Sequence, residues 1–167
     1  PPVEARLTVD IGGVSEELVV IMLHAKSGAD PEDWDRRRPG SEALEAYLDA
    51  TWPTARVAVL GDFNDDVDVS IVPGRESSYR NLVLDPDWIF VTAALSEAGA
   101  KSTVFYPDVI DHHLVSDELE LSYVQGSVRS FRADDYVEEY GETTTDHYPV
   151  VSRYTLSATG MGDAAQP

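Results

Sequence analysis

The sequence predicts a single α/β domain, and three observations carry that reading. Aliphatic and β-branched blocks of strand length recur along the chain, foremost ELVVIMLH (Glu17 to His24) and VAVL (Val57 to Leu60). Asp30-Pro31 and Asp85-Pro86 each couple a helix-capping carboxylate to a proline suited to the first helical turn. No internal repeat is visible, and 167 residues with 43% hydrophobic content leave room for one sizeable core.

The elements follow in order. Ala5 to Asp10 alternates, Ile11-Gly12-Gly13 punctuates, and Glu17 to His24 is apolar almost throughout, as expected of a strand covered on both faces. These are two strands of one sheet. Asp30 starts a short helix with Glu32 and Asp33 in its first turn and Arg36, Arg37 and Arg38 near its far end. Pro39-Gly40 ends it, and Ser41 caps a second helix in which Leu44, Tyr47, Leu48 and Thr51 share a side. Val57 to Leu60 is a buried strand. From Asp85-Pro86, the residues Trp88, Val91, Leu95 and Ala98 keep helical spacing up to a Gly99 stop. Val109 to Ser116, Leu121 to Phe131 and Val150 to Leu156 read as the remaining strands, and SATGMGDAAQP (157–167) as a flexible tail.

Charge narrows the function classes. Twelve Lys and Arg against thirty-one Asp and Glu give a formal charge of -19, a surface that repels nucleic acid and acidic membranes. A phosphate substrate therefore requires a cation or a local basic patch. With no cysteine there is neither a disulfide nor thiolate chemistry, and no apolar run approaches the roughly 20 residues of a membrane span. The start at Pro1-Pro2, without initiator Met or signal peptide, points to a trimmed or processed product.

The stretch VAVLGDFNDDVD (Val57 to Asp68) runs from a buried strand straight into carboxylates. A strand ending in Gly61 delivers Asp62 and Asn64 two residues apart on a rigid support, which is how sites are commonly positioned. Alternating oxygens at Asp62, Asn64, Asp66 and Asp68 also invite a calcium-loop reading. That loop needs Gly sixth and Glu twelfth, where this chain has Val67 and Pro73, so it is rejected. Asp65, Asp66 and Asp68 are read as solvated loop charge.

Three further stretches accompany LGDFN: VIMLHAKS (Val20 to Ser27), VIDHHLVS (Val109 to Ser116) and TTDHYPVVS (Thr144 to Ser152). In this order and at these intervals they resemble the later motifs of the endonuclease/exonuclease/phosphatase superfamily, over about residues 3–156. The resemblance implies a DNase I-like two-sheet α/β sandwich of which residues 1–156 form the C-terminal portion. The family's early Asn and its metal-binding Glu have no counterpart here. The earlier strands are expected from a second chain or fragment carrying the N-terminal half of the domain, since an apolar sheet face would otherwise meet water.

The resemblance also implies roles. His147 matches the His of the family's Ser-Asp-His motif, with Thr145 in the place of Ser, and Asp111 the carboxylate that orients it. Asp62 matches the residue that orients or deprotonates the nucleophilic water, and Asn64 the neighbour that hydrogen-bonds the phosphorane oxygens. Which of Asp62 and His147 is the base stays open. Asp146, with Asp62 and Asn64, is the expected metal-binding set for Mg²⁺ or Mn²⁺, Ca²⁺ being a further candidate. His24 matches a phosphate-facing His whose usual carboxylate partner lies in the missing half; a satisfied, half-buried histidine is the competing reading.

Other residues are assigned to packing or surface. Alternation puts His113 on the face of Asp111 and His112 on the other, and His113 reads as a core histidine rather than a site residue. Arg36 to Arg38 and Lys26 read as helix-end and solvated charge, and Tyr79, Trp88 and Tyr106 as packing rather than base-stacking residues. The implied activity is metal-dependent hydrolysis of phosphodiesters, foremost in nucleic acid. A phosphomonoesterase on a sugar, inositol or lipid headgroup, or an inactive interaction domain, are the alternatives.

Overall fold

A computed structural model describes residues 2–156; the expected tail at 157–167 lies outside them. Strands β1 (Val3–Ile11) and β2 (Val14–His24) form an antiparallel hairpin whose register runs from Val3 opposite Met22 to Ile11 opposite Val14. Gly12 and Gly13, at φ +59° and +88°, supply the two left-handed positions that a two-residue hairpin turn requires. Helix α1 (Pro31–Thr51) then crosses over to β3 (Val57–Asp62), which lies parallel to β2. After α2 (Arg80–Leu84) come β4 (Trp88–Phe90), α3 (Ala93–Glu97) and β5 (Asp111–Ser116), giving a five-stranded sheet of order β1-β2-β3-β5-β4. Helix α4 (Asp117–Glu120) precedes β6 (Arg129–Ser130), and α5 (Tyr140–Thr143) precedes β7 (Val150–Val151), which pairs with β6 as a second, two-stranded sheet.

One face of the large sheet is closed. Val19, Ile21, Val57, Val59, Leu114 and Phe90 pack there against Leu44 and Leu48 of α1 and against Phe63, Tyr79 and Leu82. The other face is covered only over its β3-β5-β4 half, where Ala58, Val91 and Val115 meet Leu119, Tyr123 and Tyr154. Toward β1 and β2 it is open: Val3, Leu7 and Met22 are 57%, 44% and 55% exposed. Strand β2 is thus covered on one face at this end, not on both as its apolar run predicts.

The expected break at Pro39-Gly40 does not occur. The helix continues because Trp34, Arg37, Ser41, Leu44 and Leu48, spaced three and four residues apart, form one buried stripe across the junction. Pro39 and Gly40 sit on the exposed side. That packing overrides a local cost of about 3 kcal/mol for an interior proline.

The predicted helix from Asp85-Pro86 is replaced by strand β4, in which Trp88 and Phe90 are buried and pair with β5 across from Ser116 and Leu114. Helical spacing survives only in the short α3, and Gly99 at φ +64° follows its C-terminal end as expected. The strand expected over 121–131 shrinks to β6: Leu121 is 85% exposed, and Tyr123 makes only an isolated bridge to Tyr154. The strand expected over 109–116 begins at Asp111, and that over 150–156 is the two-residue β7 plus that bridge.

Two acids read as solvated loop charge are structural instead. Asp65 is fully buried, and Asp66, also buried, accepts from the backbone N–H groups of Val67 and Val109 at 2.7 and 2.9 Å. Asp68 is exposed, as expected. Burial pushes the Asp66 carboxyl up to about 6 against these bonds. Between its ordinary 3.8 and 6 the native state holds the extra proton, so this group favours folding at the acid end and loses that contribution as pH rises through 6. Asp66→Asn is expected to flatten this part of the stability–pH curve. Urea melts of both proteins across that window test it, and an unchanged slope would assign the titration to another group.

Candidate active site

Strand register alone assembles the first part of the site. His24 is the last residue of β2 and pairs with Asp62, the last of β3, which in turn pairs with Asp111, the first of β5. The three residues form one row at the sheet end, on the face away from α1. Gly61 makes the close approach possible. Its φ is +140°, and a Cβ there would collide with the Leu23 carbonyl oxygen of β2.

Asn64 follows in the left-handed region, φ +53°, an allowed conformation for Asn. The turn directs its backbone N–H to Asp62 Oδ1 at 2.8 Å and its side-chain amide to Asp62 Oδ2 at 2.7 Å and the Ala25 carbonyl at 3.2 Å. A further bond from the Ala25 N–H to the Asp62 carbonyl, 2.8 Å, ties the ends of β2 and β3 together.

His147 arrives from the far end of the chain. An isolated bridge to Thr103, the Val104 N–H on the Asp146 carbonyl at 2.7 Å, and the Tyr140 hydroxyl on the His147 carbonyl at 2.9 Å fix its backbone. Thr145 accepts from the His147 N–H at 3.2 Å. The imidazole Nδ1 lies 2.9 and 3.0 Å from the two Asp111 oxygens, and its Nε2 lies 4.0 Å from Asp62 Oδ2. His24 Nε2 sits 3.5 Å from the same Asp62 oxygen on an exposed side chain. His147, Asp111, Asp62, Asn64 and His24 therefore converge. Asp146 adjoins them in sequence, and its charge acts on His147.

The electrostatics follow from partial burial. Desolvation raises Asp62 and Asp111 above the usual carboxylate range, opposed by Asn64 and the histidines at Asp62 and by Ser102 and His147 at Asp111. Desolvation pulls His147 down, but the hydrogen bond and charge of Asp111, with the charges of Asp62 and Asp146, outweigh it and leave the imidazole above its ordinary value. With Nδ1–H given to Asp111, the neutral ring presents a free lone pair on Nε2 toward Asp62.

Ser102 escaped the sequence reading. Its hydroxyl donates to Asp111 Oδ2 at 2.7 Å and accepts from the N–H groups of Ile110 and Asp111 at 2.9 and 3.1 Å, locking the carboxylate that orients His147. A lone serine nine residues before Asp111 carries no signal of this in the sequence.

The histidine pair divides as alternation predicts. His112 is buried on the α1 side, and desolvation pushes it down to about 3. His113 lies on the face of Asp111, bonds through Nδ1 to Ser152 at 2.8 Å, and is pushed down to about 4 by burial. Arg37 corrects the reading of its cluster as solvated charge, being 2% exposed. Tyr79 and Trp88 pack as expected, whereas Tyr106 is 61% exposed rather than packed.

The donor chemistry suits a hard divalent cation in an open site. Asp62, Asp146 and Asn64 offer oxygens only, and both Asp62 oxygens already hold Asn64. Among the described residues no group of three or more His, Asp or Glu side chains is placed to hold a metal ion. Mg²⁺ in general keeps several waters and takes one or two carboxylates together with substrate phosphate.

No protein-family model matches the sequence, and no curated protein matches it. Solved structures do. A 3′ phosphatase, NExo, from Neisseria bound to product DNA hairpin is 19% identical at a TM-score of 0.64, over 90% of this chain and 65% of that one. An AP endonuclease from Archaeoglobus fulgidus is 17% identical at a TM-score of 0.65, with the same coverages. An endonuclease/exonuclease/phosphatase family protein from Bacteroides thetaiotaomicron is 16% identical at a TM-score of 0.52, over 89% and 53%. The chain has the DNase I-like fold. It spans 65% of the length of the first two structures, so the DNase I-like fold is present here in part, with one five-stranded and one two-stranded sheet among the described residues. Among the described residues, no helix of this DNase I-like chain is long and apolar enough to cross a membrane.

Proposed function

We propose that this chain is the later part of a divalent-metal-dependent phosphoesterase that hydrolyses phosphodiester bonds, with nucleic acid as the foremost substrate class. The observation that carries the reading is the convergence of His147, Asp111, Asp62 and Asn64 at one sheet end. Asp111 and Ser102 hold the His147 ring so that Nε2 faces the gap beside Asp62, where an attacking water or a phosphate oxygen can exchange a proton with it. Asp62, its lone pairs oriented by Asn64, is the second group able to take the water's proton. The Asn64 amide stabilises the phosphorane oxygens without adding negative charge beside phosphate. His24, exposed at the rim, is suited to the phosphate oxygens. Mg²⁺ or Mn²⁺ on Asp62, Asp146 and Asn64 would supply Lewis-acid stabilisation of the charge that develops on phosphate.

The same reading assigns the open face. Val3, Leu7 and Met22 are covered when the remaining strands of the sandwich, from a second chain or from residues outside this sequence, pack over β1 and β2. A second reading, a phosphomonoesterase on a sugar, inositol or lipid headgroup, is favoured by the charge of -19, which penalises a polyanion more than a small phosphate ester.

Plasmid nicking, bis(p-nitrophenyl) phosphate and p-nitrophenyl phosphate assays, each with Mg²⁺, Mn²⁺ or chelator, test both. They are run on the chain alone and joined to the strands that complete the sandwich. Metal-dependent, chelator-sensitive diester cleavage by the completed domain is expected. Monoester turnover alone would select the second reading, and silence of the completed, folded domain on all three substrates would end both.

A further inference from the structure

We propose that Arg37 and Asp65 form a buried clamp that positions the active-site segments, an inference that rests on the phosphoesterase reading of the site. The Arg37 side chain leaves α1 wholly excluded from solvent, and its Nη1 donates to the carbonyls of Lys26 at 3.0 Å and Gly28 at 2.7 Å. Those carbonyls belong to the segment that continues from His24 and Ala25. Arg37 Nε lies 3.7 Å from Asp65 Oδ2, whose side chain is also fully excluded.

Asp65 immediately follows Asn64. Its carboxylate accepts from Ser70 Oγ and the Ile71 N–H at 2.8 Å each, and from the Ser78 N–H and Oγ at 2.9 and 2.6 Å. Its backbone carbonyl lies 3.2 Å from His112 Nε2, while His112 Nδ1 faces the Thr92 hydroxyl at 2.8 Å. The neutral ring thus donates through Nε2 and accepts through Nδ1. His112 adjoins Asp111, so one buried polar layer runs beneath the segments that carry His24, Asp62 with Asn64, and Asp111.

A buried guanidinium–carboxylate pair is costly unless its remaining donors and acceptors are engaged, and an apolar pair of similar volume would pack without that cost. What an apolar pair lacks is direction. Nη1 alone holds the two carbonyls of one segment while Nε faces the Asp65 carboxylate of another at 3.7 Å, Nε and Nη2 having no hydrogen-bond partner among the described residues, and the single ammonium of a lysine cannot serve both segments. The clamp therefore acts on position: it holds the Ala25 carbonyl against Asn64 and the Ala25 N–H against Asp62. Arg37 and Asp65 touch no substrate and are positioning residues.

Amide hydrogen exchange on this chain tests the clamp without any substrate, so its outcome is independent of the activity assays above. The reporters are the Ala25 N–H, bonded to the Asp62 carbonyl at 2.8 Å, and the Asn64 N–H, bonded to Asp62 Oδ1 at 2.8 Å. The reference is the Val19 N–H, bonded to the Arg56 carbonyl at 2.9 Å near the other end of β3. In Arg37→Lys, which keeps the charge, both reporters are expected to exchange about tenfold faster while Val19 stays within about twofold. Arg37→Met is expected to exceed that effect; if it does not fold, Arg37→Lys decides alone. Uniform acceleration of all three amides, or no change in any, overturns the clamp. Where the completed domain turns over a phosphate ester, Arg37→Lys is expected to lower kcat about tenfold with KM within about twofold. A variant that melts earlier yet keeps its kcat well below its melting temperature would show a merely structural role.

Discussion

His147→Ala is expected to lower kcat of the completed domain by about a thousandfold, the middle of the range for loss of a positioned acid–base group. Two features of the site set that size: Nδ1 is committed to Asp111 at 2.9 Å, and Nε2 opens toward Asp62. Asp111→Asn separates orientation from proton transfer, because it preserves shape but removes the charge that holds the ring. Its kcat is expected to fall by about a hundredfold. The pH profile gives the sign. Asp111, Asp62 and Asp146 together hold the His147 pKa above its ordinary value, so the neutral base appears only at higher pH, and the acid limb of the rate profile lies correspondingly high. In Asp111→Asn that limb is expected to move to lower pH. Stability changes in the same sense: the protonated pair favours folding below the ordinary imidazole pKa of 6.5, and this is lost as pH rises through the folded value. Rate profiles and thermal melts of the two proteins over pH 5 to 9 (about the range in which histidine titrates) decide it. A limb that stays in place in Asp111→Asn would remove Asp111 from the role of His147's partner.

How much of this was legible depended on whether the information was local. Asp62 and Asn64 could be named because they directly follow a short aliphatic block, and Asp111 and His147 because the stretches around them resemble motifs of a known family. Pairing Asp62 with Asp111 then needs only an antiparallel register. The residues that hold those groups were not legible. Asp65 and Arg37 look like surface charge because their burial is decided by tertiary contacts, with each other and with Ser70, Ser78 and the carbonyls of Lys26 and Gly28, that no local pattern announces. Ser102 is hidden for the same reason. Pro39-Gly40 misleads in the other direction: local propensity says stop, while the buried stripe from Trp34 to Leu48 says continue, and packing outweighs propensity. Leu121 to Phe131 has strand composition without a partner to pair with over most of its length, and β composition alone does not make a strand.

Gly61→Ala is expected to destabilise the chain by about 2–4 kcal/mol, combining a residue forced into positive φ with a steric clash. At this chain length that is a fall in melting temperature of about 10 °C. The clash is with backbone rather than a yielding side chain, since the new Cβ would meet the carbonyl oxygen of Leu23, directly opposite in the parallel β2-β3 pair. Relief requires the ends of these strands to separate, and His24 and Asp62 are the next residues on each. The 3.5 Å approach of His24 to Asp62 and the Ala25–Asp62 backbone bond are therefore lost together, and a displacement of about 1 Å at a reacting group costs about a hundredfold in rate. Gly74→Ala separates the two contributions. Gly74 has φ +77°, but a Cβ at this position would meet nothing within 4 Å, so it bears the conformational cost without the collision. Gly61→Ala should lose both stability and activity, and Gly74→Ala about 1 kcal/mol of stability alone. Equal effects from the two substitutions would mean that the β2 and β3 ends tolerate separation, and that the spacing of the row His24, Asp62 and Asp111 is not set by the absence of a side chain at position 61.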